Sequence, residues 1–255
     1  MKYKVGDLVS FIEKKFPVCN AMEYDNVGLL TGNRDALVDS VVISLDVTPE
    51  AIEICKKNSA QVLITHHPVI FGGINNVSYD DAKGRLITDL IKNDISCIAC
   101  HTNLDMTDEF GNLCIAEALE AKNPVHLEGC GCGVVFDTDK VDTVQGYALK
   151  VKNALNASGV ITINNPSAKV TKVFVQGGAF DEESIGAIID SKVDLVVSGE
   201  IKHHICVLLD EYKVSTLIAG HNATERIYLP KLKALLKEEF ERLDIFVDFG
   251  NERSF

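Results

Sequence analysis

The sequence contains no tryptophan and only 7% aromatic residues. Neither shortage excludes a full core, because 46% of the chain is hydrophobic. Basic side chains are scarce as well: 25 Lys and Arg stand against 37 Asp and Glu, a formal net charge of −12. That balance argues against a broad nucleic-acid surface or an anionic-membrane surface, so no extended nucleic acid and no membrane are expected as partners. A nucleotide-sized substrate stays open, since a bound metal would supply positive charge locally. No apolar run approaches the ~20 residues that a membrane helix needs. The opening Met1-Lys2-Tyr3-Lys4-Val5-Gly6-Asp7 starts an amphipathic helix and lacks the apolar core of a signal peptide. The expectation is a cytoplasmic protein.

The eight cysteines, Cys19, Cys55, Cys97, Cys100, Cys114, Cys130, Cys132 and Cys206, lack the spacing of a metal knuckle. Cys97 and Cys100 form one C-x-x-C, but no second completes a zinc site. They also sit in a strand-like run, where side chains three apart face opposite ways. Ordinary buried thiols are expected there, with Cys130 and Cys132 more exposed. A disulfide framework is not expected in a chain of this size without export features.

What is present is an alternation of strands and helices. Its length of 255 residues suits one large α/β domain or two smaller ones. The pattern predicts a helix over 5–16, a strand over Ser40–Leu45 and a helix over 49–58 with Thr48 as its N-cap. A strand over Gln61–Thr65, a helix near 81–93, a strand over Ile95–Cys100 and a helix near 110–121 follow. Beyond Asn123-Pro124 it predicts strands near 133–136, 160–163 and 170–175, with helices near 140–156 and 181–191. A strand over Asp194–Ser198, a helix over 202–212, a strand over Thr216–Ala219, a long helix over 222–241 and a strand over Asp244–Val247 close the chain. This rhythm implies parallel strands covered by helices, in two α/β lobes with mixed, mostly parallel sheets. Residues 1–124, completed by 216–255, would form one lobe and 125–215 the other.

In open α/β sheets ligands gather at the carboxyl ends of the strands. Three such ends carry metal-type side chains. The run Val62-Leu63-Ile64-Thr65 ends in His66-His67-Pro68. Adjacent strand residues point to opposite faces, so the two imidazoles converge only if the backbone turns there, and Pro68 favours a sharp exit. The next strand runs out into His101-Thr102-Asn103-Leu104-Asp105. At the third, Gly220 turns a strand into a helix bearing His221 and Glu225, four apart and on one face. Nitrogen and oxygen donors suit zinc, iron, manganese, cobalt or nickel and disfavour a sulfur-bound structural zinc. Five protein ligands are too many for one open tetrahedral site. They are natural for two divalent ions sharing a carboxylate, which can clamp a hydroxide and themselves polarise a phosphoryl, carbonyl or imine group.

These motifs resemble a known family. L-I-T-H-H-P-V-I-F at 63–71, H-T-N-L-D at 101–105 and G-H-N-A-T-E at 220–225 are similar to those of the NIF-three-like dinuclear-metal proteins, often labelled GTP cyclohydrolase I type 2 homologues. Y-D-N-V-G-L-L at 24–30, S-L-D-V-T at 44–48 and S-G-E-I-K-H-H at 198–204 add to the likeness, which spans nearly the whole chain. The resemblance implies two metals per chain held by His66, His67, Asp105, His221 and Glu225, with Glu225 bridging. It implies His101 and Asn103 beside them, a two-lobed NIF-three-like fold and a ring-shaped homohexamer. One departure is the loop Phe71-Gly72-Gly73-Ile74-Asn75-Asn76, which lacks the basic residue expected in many relatives and so weakens a phosphate-binding reading.

Two further clusters remain. Gly177-Gly178 before a helix could cradle an anion. Asp181, Glu182 and Glu183 crowd that helix's first turn and repel phosphate, so a structural role is expected. Glu200, Lys202, His203 and His204 are either a solvated first turn or a substrate contact and proton shuttle. His126 has no sequence partner and is read as structural. The leading expectation is a metal-dependent hydrolase acting on a nucleotide, phosphoester or cyclic amidine-type small molecule through a metal-bridging hydroxide, with His101, His203 or His204 moving protons. A metal storage or delivery protein, or an interaction scaffold, is the alternative.

Overall fold

The computed structural model describes residues 2–250. Contacts divide them into two compact units, residues 2–107 with 229–250 and residues 108–228.

The first unit opens with strand β1 (Tyr3–Lys4), helix α1 (Val5–Lys15), β2 (Gly28–Thr31), β3 (Leu37–Val38) and β4 (Ser40–Ser44). Helix α2 (Pro49–Lys57) leads to β5 (Val62–Thr65), and α3 (Ala82–Lys92) leads to β6 (Ser96–Ala99) and a short α4 (Thr102–Asp105). Local chemistry sets the helix starts. Thr48 Oγ1 accepts from the Ala51 amide at 3.0 Å, with Pro49 at the first helical position. Asp81 caps α3 in the same way through the Gly84 amide at 2.7 Å.

The second unit contains α5 (Asn112–Ala118), β7 (Lys122–His126), β8 (Val134–Thr143), α6 (Val144–Ala154), β9 (Ile161–Ile163) and β10 (Lys169–Ala179). It continues through α7 (Ile185–Asp190), β11 (Leu195–Glu200), α8 (His203–Glu211), β12 (Ser215–Ile218) and α9 (His221–Glu225). The chain then returns to the first unit as α10 (Leu229–Glu239) and β13 (Asp244–Val247).

The first unit's main sheet has the order β13-β4-β5-β6-β2, parallel except for the antiparallel edge β2. Register places Val42, Leu63 and Cys97 side by side. They pack with Ala51, Ile52 and Cys55 of α2 and Ile87 and Leu90 of α3. Their neighbours Val41, Ile43, Val62, Ile64 and Ile98 point to the other face and are also buried. Burial on both faces explains the continuous apolar runs of these parallel strands.

The second unit's sheet has the order β7-β8-β10-β11-β12-β9. Its centre, β10-β11-β12, is parallel, and the three outer pairings are antiparallel. Val173, Val175, Leu195 and Val197 pack toward α5 and α6, whereas Phe174 and Val196 pack toward α7 and α8. The period-2 alternation thus sorts each strand between two helical layers. The expected two-lobed α/β architecture is present, with the first sheet mostly parallel and the second mixed.

Three differences from the sequence expectations have physical causes. The helix expected over 140–156 begins only at Val144, because Thr143 caps it through the Gly146 amide. Residues 140–143 instead extend β8, and Asp142 and Thr143 pair with Val170 and Lys169. The long helix expected over 222–241 is interrupted by a 3-10 turn at Arg226–Tyr228. Pro230 has no amide to donate back to residue 226, which breaks the helical ladder there. That break coincides with the division between units. β12 pairs with β11 and β9, so Thr216–Ala219 and the residues up to 228 belong with the second unit rather than with 1–124. Likewise Asn123-Pro124 lies inside β7, and the first division falls at residue 107.

Among the described residues no helix is long and apolar enough to cross a membrane. Cys97 and Cys100 are buried free thiols, and burial pushes both up to about 12. Cys130, expected to be exposed, is buried with its thiol directed at the Ser184 carbonyl, while Cys132 is half-buried. His126 lies on the edge strand β7, and neither ring nitrogen has a hydrogen-bond partner among the described residues.

The first core leads to a stability prediction. Leu63 is fully buried in a central strand, so Leu63→Ala is expected to cost about 2–5 kcal/mol, read as a lower urea midpoint at unchanged slope.

Candidate metal centre

In the first unit β5 ends at Thr65, and the chain bends through His66 and His67. The Thr65 hydroxyl donates to the His67 carbonyl at 2.9 Å, and the His67 amide donates to Leu45 O at 2.8 Å. This turn lets two neighbouring side chains reach one place. The rings of His66 and His67 are 4.9 Å apart, and the His101 ring lies 5.0 Å from one and 5.6 Å from the other. One ring nitrogen from each of the three falls within 4.8 Å of the others.

Each ring is held from behind. His66 Nδ1 is 2.8 Å from the Cys100 carbonyl, which can only accept, so Nδ1 carries the proton and Nε2 is the lone-pair atom. His67 Nδ1 is 2.8 Å from Asp46 Oδ1, and His101 Nδ1 is 2.8 Å from Asp25 Oδ1. A histidine tied to a carboxylate or carbonyl in this way presents its other nitrogen as a ligand and gains basicity. Burial pushes the Asp25 carboxyl up. Hydrogen bonds from His101 and from the Thr102 hydroxyl and the Asn26 amide, with the charge of His101, outweigh it and hold Asp25 well below the usual carboxylate range.

Asp105 ends α4, and its Oδ2 lies 3.7 Å from His66 Nε2. Asn103, expected behind the ligands or facing substrate, is buried and bonds to the backbone of His101. Its Oδ1 accepts from the His101 amide at 3.0 Å and its Nδ2 donates to Phe16 O at 2.9 Å, so it fixes the turn between His101 and Asp105.

In the second unit Gly220, at φ 94°, turns β12 into α9. His221 Nε2 is 3.1 Å from Glu225 Oε2, as the four-residue spacing requires, and His221 Nδ1 is 3.1 Å from Glu200 Oε1. The carboxylate-backed arrangement of the first unit therefore recurs here. Glu225 is buried to 7% exposure.

Glycines make room for this helix. A Cβ on Gly178, which has φ 61°, would lie 2.2 Å from Glu225 Oε1, and one on Gly199 would lie 2.8 Å from His221 Cα. The amides of the glycine pair are already committed. Gly177 donates to Asn112 Oδ1 at 2.5 Å and Gly178 to Thr224 Oγ1 at 3.0 Å. The pair is a packing device for α9, not an anion cradle.

Of the cluster at 200–204, Glu200 backs His221, whereas His203 and His204 sit exposed on the first turn of α8, His204 3.6 Å from Glu182. Sequence reasoning missed the backing carboxylates Asp25 and Asp46, and it placed Glu200 in a polar cluster without its partner His221. Asp25 and Asp46 stand in the segments Y-D-N-V-G and S-L-D-V-T, which signalled likeness without signalling a role.

The glycine contacts lead to a prediction. Gly199→Ala should displace α9 and weaken divalent-metal binding by at least about tenfold, on the scale of lost supporting contacts, with circular dichroism near wild type. Isothermal titration with zinc measures it.

A family model described as Duf34/NIF3 (NGG1p interacting factor 3) matches residues 3–252. A Clostridium perfringens protein named GTP cyclohydrolase 1 type 2 homolog is 30% identical, covering 96% of this chain and 95% of its own. A Methanocaldococcus jannaschii protein of the same name is 28% identical over 96% of this chain and all of its own. Among solved structures, reduced HcgD from Methanocaldococcus jannaschii superposes with a TM-score of 0.85 at 27% identity, covering 97% of this chain and 98% of its own. A Bacillus cereus protein related to NIF3 gives 0.93 at 21% identity, covering 100% and 99%, a likeness of fold. The chain belongs to the Duf34/NIF3 family.

Proposed function

We propose that this protein is a metal-dependent hydrolase and that His66, His67, Asp105, His221 and Glu225 would serve as the ligands of two divalent transition metals. The observation that supports the reading is the backing of every histidine in the set. Nδ1 of His66, His67 and His221 is tied to Cys100 O, Asp46 and Glu200 respectively, which directs Nε2 outward as a ligand atom. The donor set is nitrogen and oxygen, with the cysteines around it buried as high-pKa thiols, and it fits borderline divalent ions.

Metal ions in such a site supply Lewis acidity and activate water near neutral pH. The chain's own residues do the rest. His101, hydrogen-bonded through Nδ1 to Asp25, would use Nε2 to relay a proton between an attacking water and a leaving group. Asp105, beside His66, holds negative charge where the imidazoles gather. His203 and His204, exposed on α8, are secondary candidates for moving protons to solvent. The substrate in this reading is a small molecule of the nucleotide or phosphoester class, for which the relatives' GTP cyclohydrolase name is the support. A cytoplasmic location, from the sequence pattern, and a homohexameric assembly, from family resemblance, belong to the same proposal.

Purified protein should carry about two divalent ions per chain, the stoichiometry of a clamp that shares one carboxylate. Glu225→Ala should lose most of them with circular dichroism unchanged, as read by plasma mass spectrometry. Retention of both ions in that variant contradicts the ligand assignment. Metal that exchanges freely, with no turnover across a broad panel of nucleotides and phosphoesters, favours storage or delivery instead.

A further inference from the structure

The rings of the first unit do not stop at the histidines. Phe71 packs edge-on against His101 with ring centres 5.9 Å apart, and Tyr24 packs edge-on against Phe71 at 6.2 Å. Both outer rings are open to solvent: Tyr24 is 66% exposed and Phe71 44%. Large exposed apolar surface beside a polar site marks a place where something binds.

These rings are also held in place. Asp25, next to Tyr24, accepts from the Thr102 amide at 3.0 Å and from the Thr102 hydroxyl at 2.5 Å, and it binds the His101 ring. Asn26 Nδ2 donates to Ile70 O at 2.7 Å, joining the Tyr24 segment to the residue before Phe71. Lys83 Nζ donates to the Phe71 carbonyl at 3.3 Å. The loop beyond is glycine-rich: Gly72 at φ 68° and Gly73 at φ 86° have only open space around them. Two exposed aromatic side chains are thus fixed at their backbones and left uncovered on one side. Aromatic side chains of this kind, with only two rotatable bonds each, bind with little loss of conformational freedom.

We propose that Tyr24 and Phe71 are a ring-binding wall, and that the substrate carries a planar heteroaromatic ring which stacks there while its reacting group reaches the histidines. The inference rests on the hydrolase reading and narrows its substrate class. The segments 21–30 and 68–76 that carry the wall contain no Lys or Arg, and Glu23 and Asp25 make the Tyr24 side acidic. Neutral or electron-poor rings therefore suit the Tyr24 side, whereas Lys83, with its Nζ 3.3 Å from the Phe71 carbonyl, leaves room for an anionic group beside Phe71. Every planar base offers a π-face, so stacking recognises ring shape rather than one sequence of hydrogen-bonding groups.

The test uses the full-length metal-loaded protein and ligand-observed NMR. The panel pairs planar heteroaromatics (purines, pterins, pyridines) with saturated-ring molecules such as ribose 5-phosphate. The expected result is binding of heteroaromatic members only, weakened about tenfold or more in Tyr24→Ala and in Phe71→Ala and restored in Phe71→Tyr, as loss of one stacking partner predicts. Metal content should stay at the wild-type value in all three variants. Equal binding of saturated rings, binding of no ring, or alanine variants within about twofold of wild type overturns the wall. A change in oligomeric state with ring binding unaltered also overturns it, by assigning the rings to a contact between copies. Loss of metal from the wild-type protein contradicts the hydrolase reading instead, and is read separately.

Discussion

The structure of the candidate centre depends on what lies behind its histidines. An imidazole has two nitrogens, and only the one whose partner carries the proton is free to bind a metal. Here Nδ1 of His66, His67, His101 and His221 faces a carbonyl or a carboxylate at 2.8–3.1 Å. The carbonyl behind His66 fixes its tautomer, and the carboxylates behind the other three orient their rings before any ion arrives. Without those acceptors each imidazole would lose the bond that sets which nitrogen faces outward.

The folds of both units serve that requirement. In the first, parallel strands β4, β5 and β6 end side by side, so Asp46, His66-His67 and His101 emerge from adjacent strand ends. Cores on both faces of each sheet make those ends rigid. In the second, Glu200 ends β11 next to the start of α9 after β12, which explains how it reaches His221. Gly178 and Gly199 lack side chains where α9 lies against β10 and β11, because a methyl group would occupy the space of Glu225 or of the His221 backbone.

Much of this was legible in the sequence because it is local. The His66-His67-Pro68 exit, the four-residue spacing of His221 and Glu225 and the strand–helix rhythm each fit within a few residues. The backing carboxylates were not legible. Asp25 meets His101 from 76 residues away, and Asp46 meets His67 from 21. No periodicity records such pairings. The short edge strands β2 and β7 are also invisible to pattern, since their pairing partners and not their own residues define them. The interruption of the long helix, by contrast, had a readable cause in Pro230. An apolar periodicity that continues past a proline gives no guarantee that the helix does.

The account is tested most directly by the protonation of the four backed imidazoles. Histidine-selective nitrogen-15 NMR, recorded before and after zinc addition, distinguishes a protonated nitrogen from a lone-pair nitrogen in each ring. His66, His67, His101 and His221 should show protonated Nδ1 in the metal-free protein. Zinc should move the Nε2 signals of His66, His67 and His221 and leave their Nδ1 protons in place. Coordination through Nδ1, or rings that exchange between tautomers until zinc is added, would contradict it.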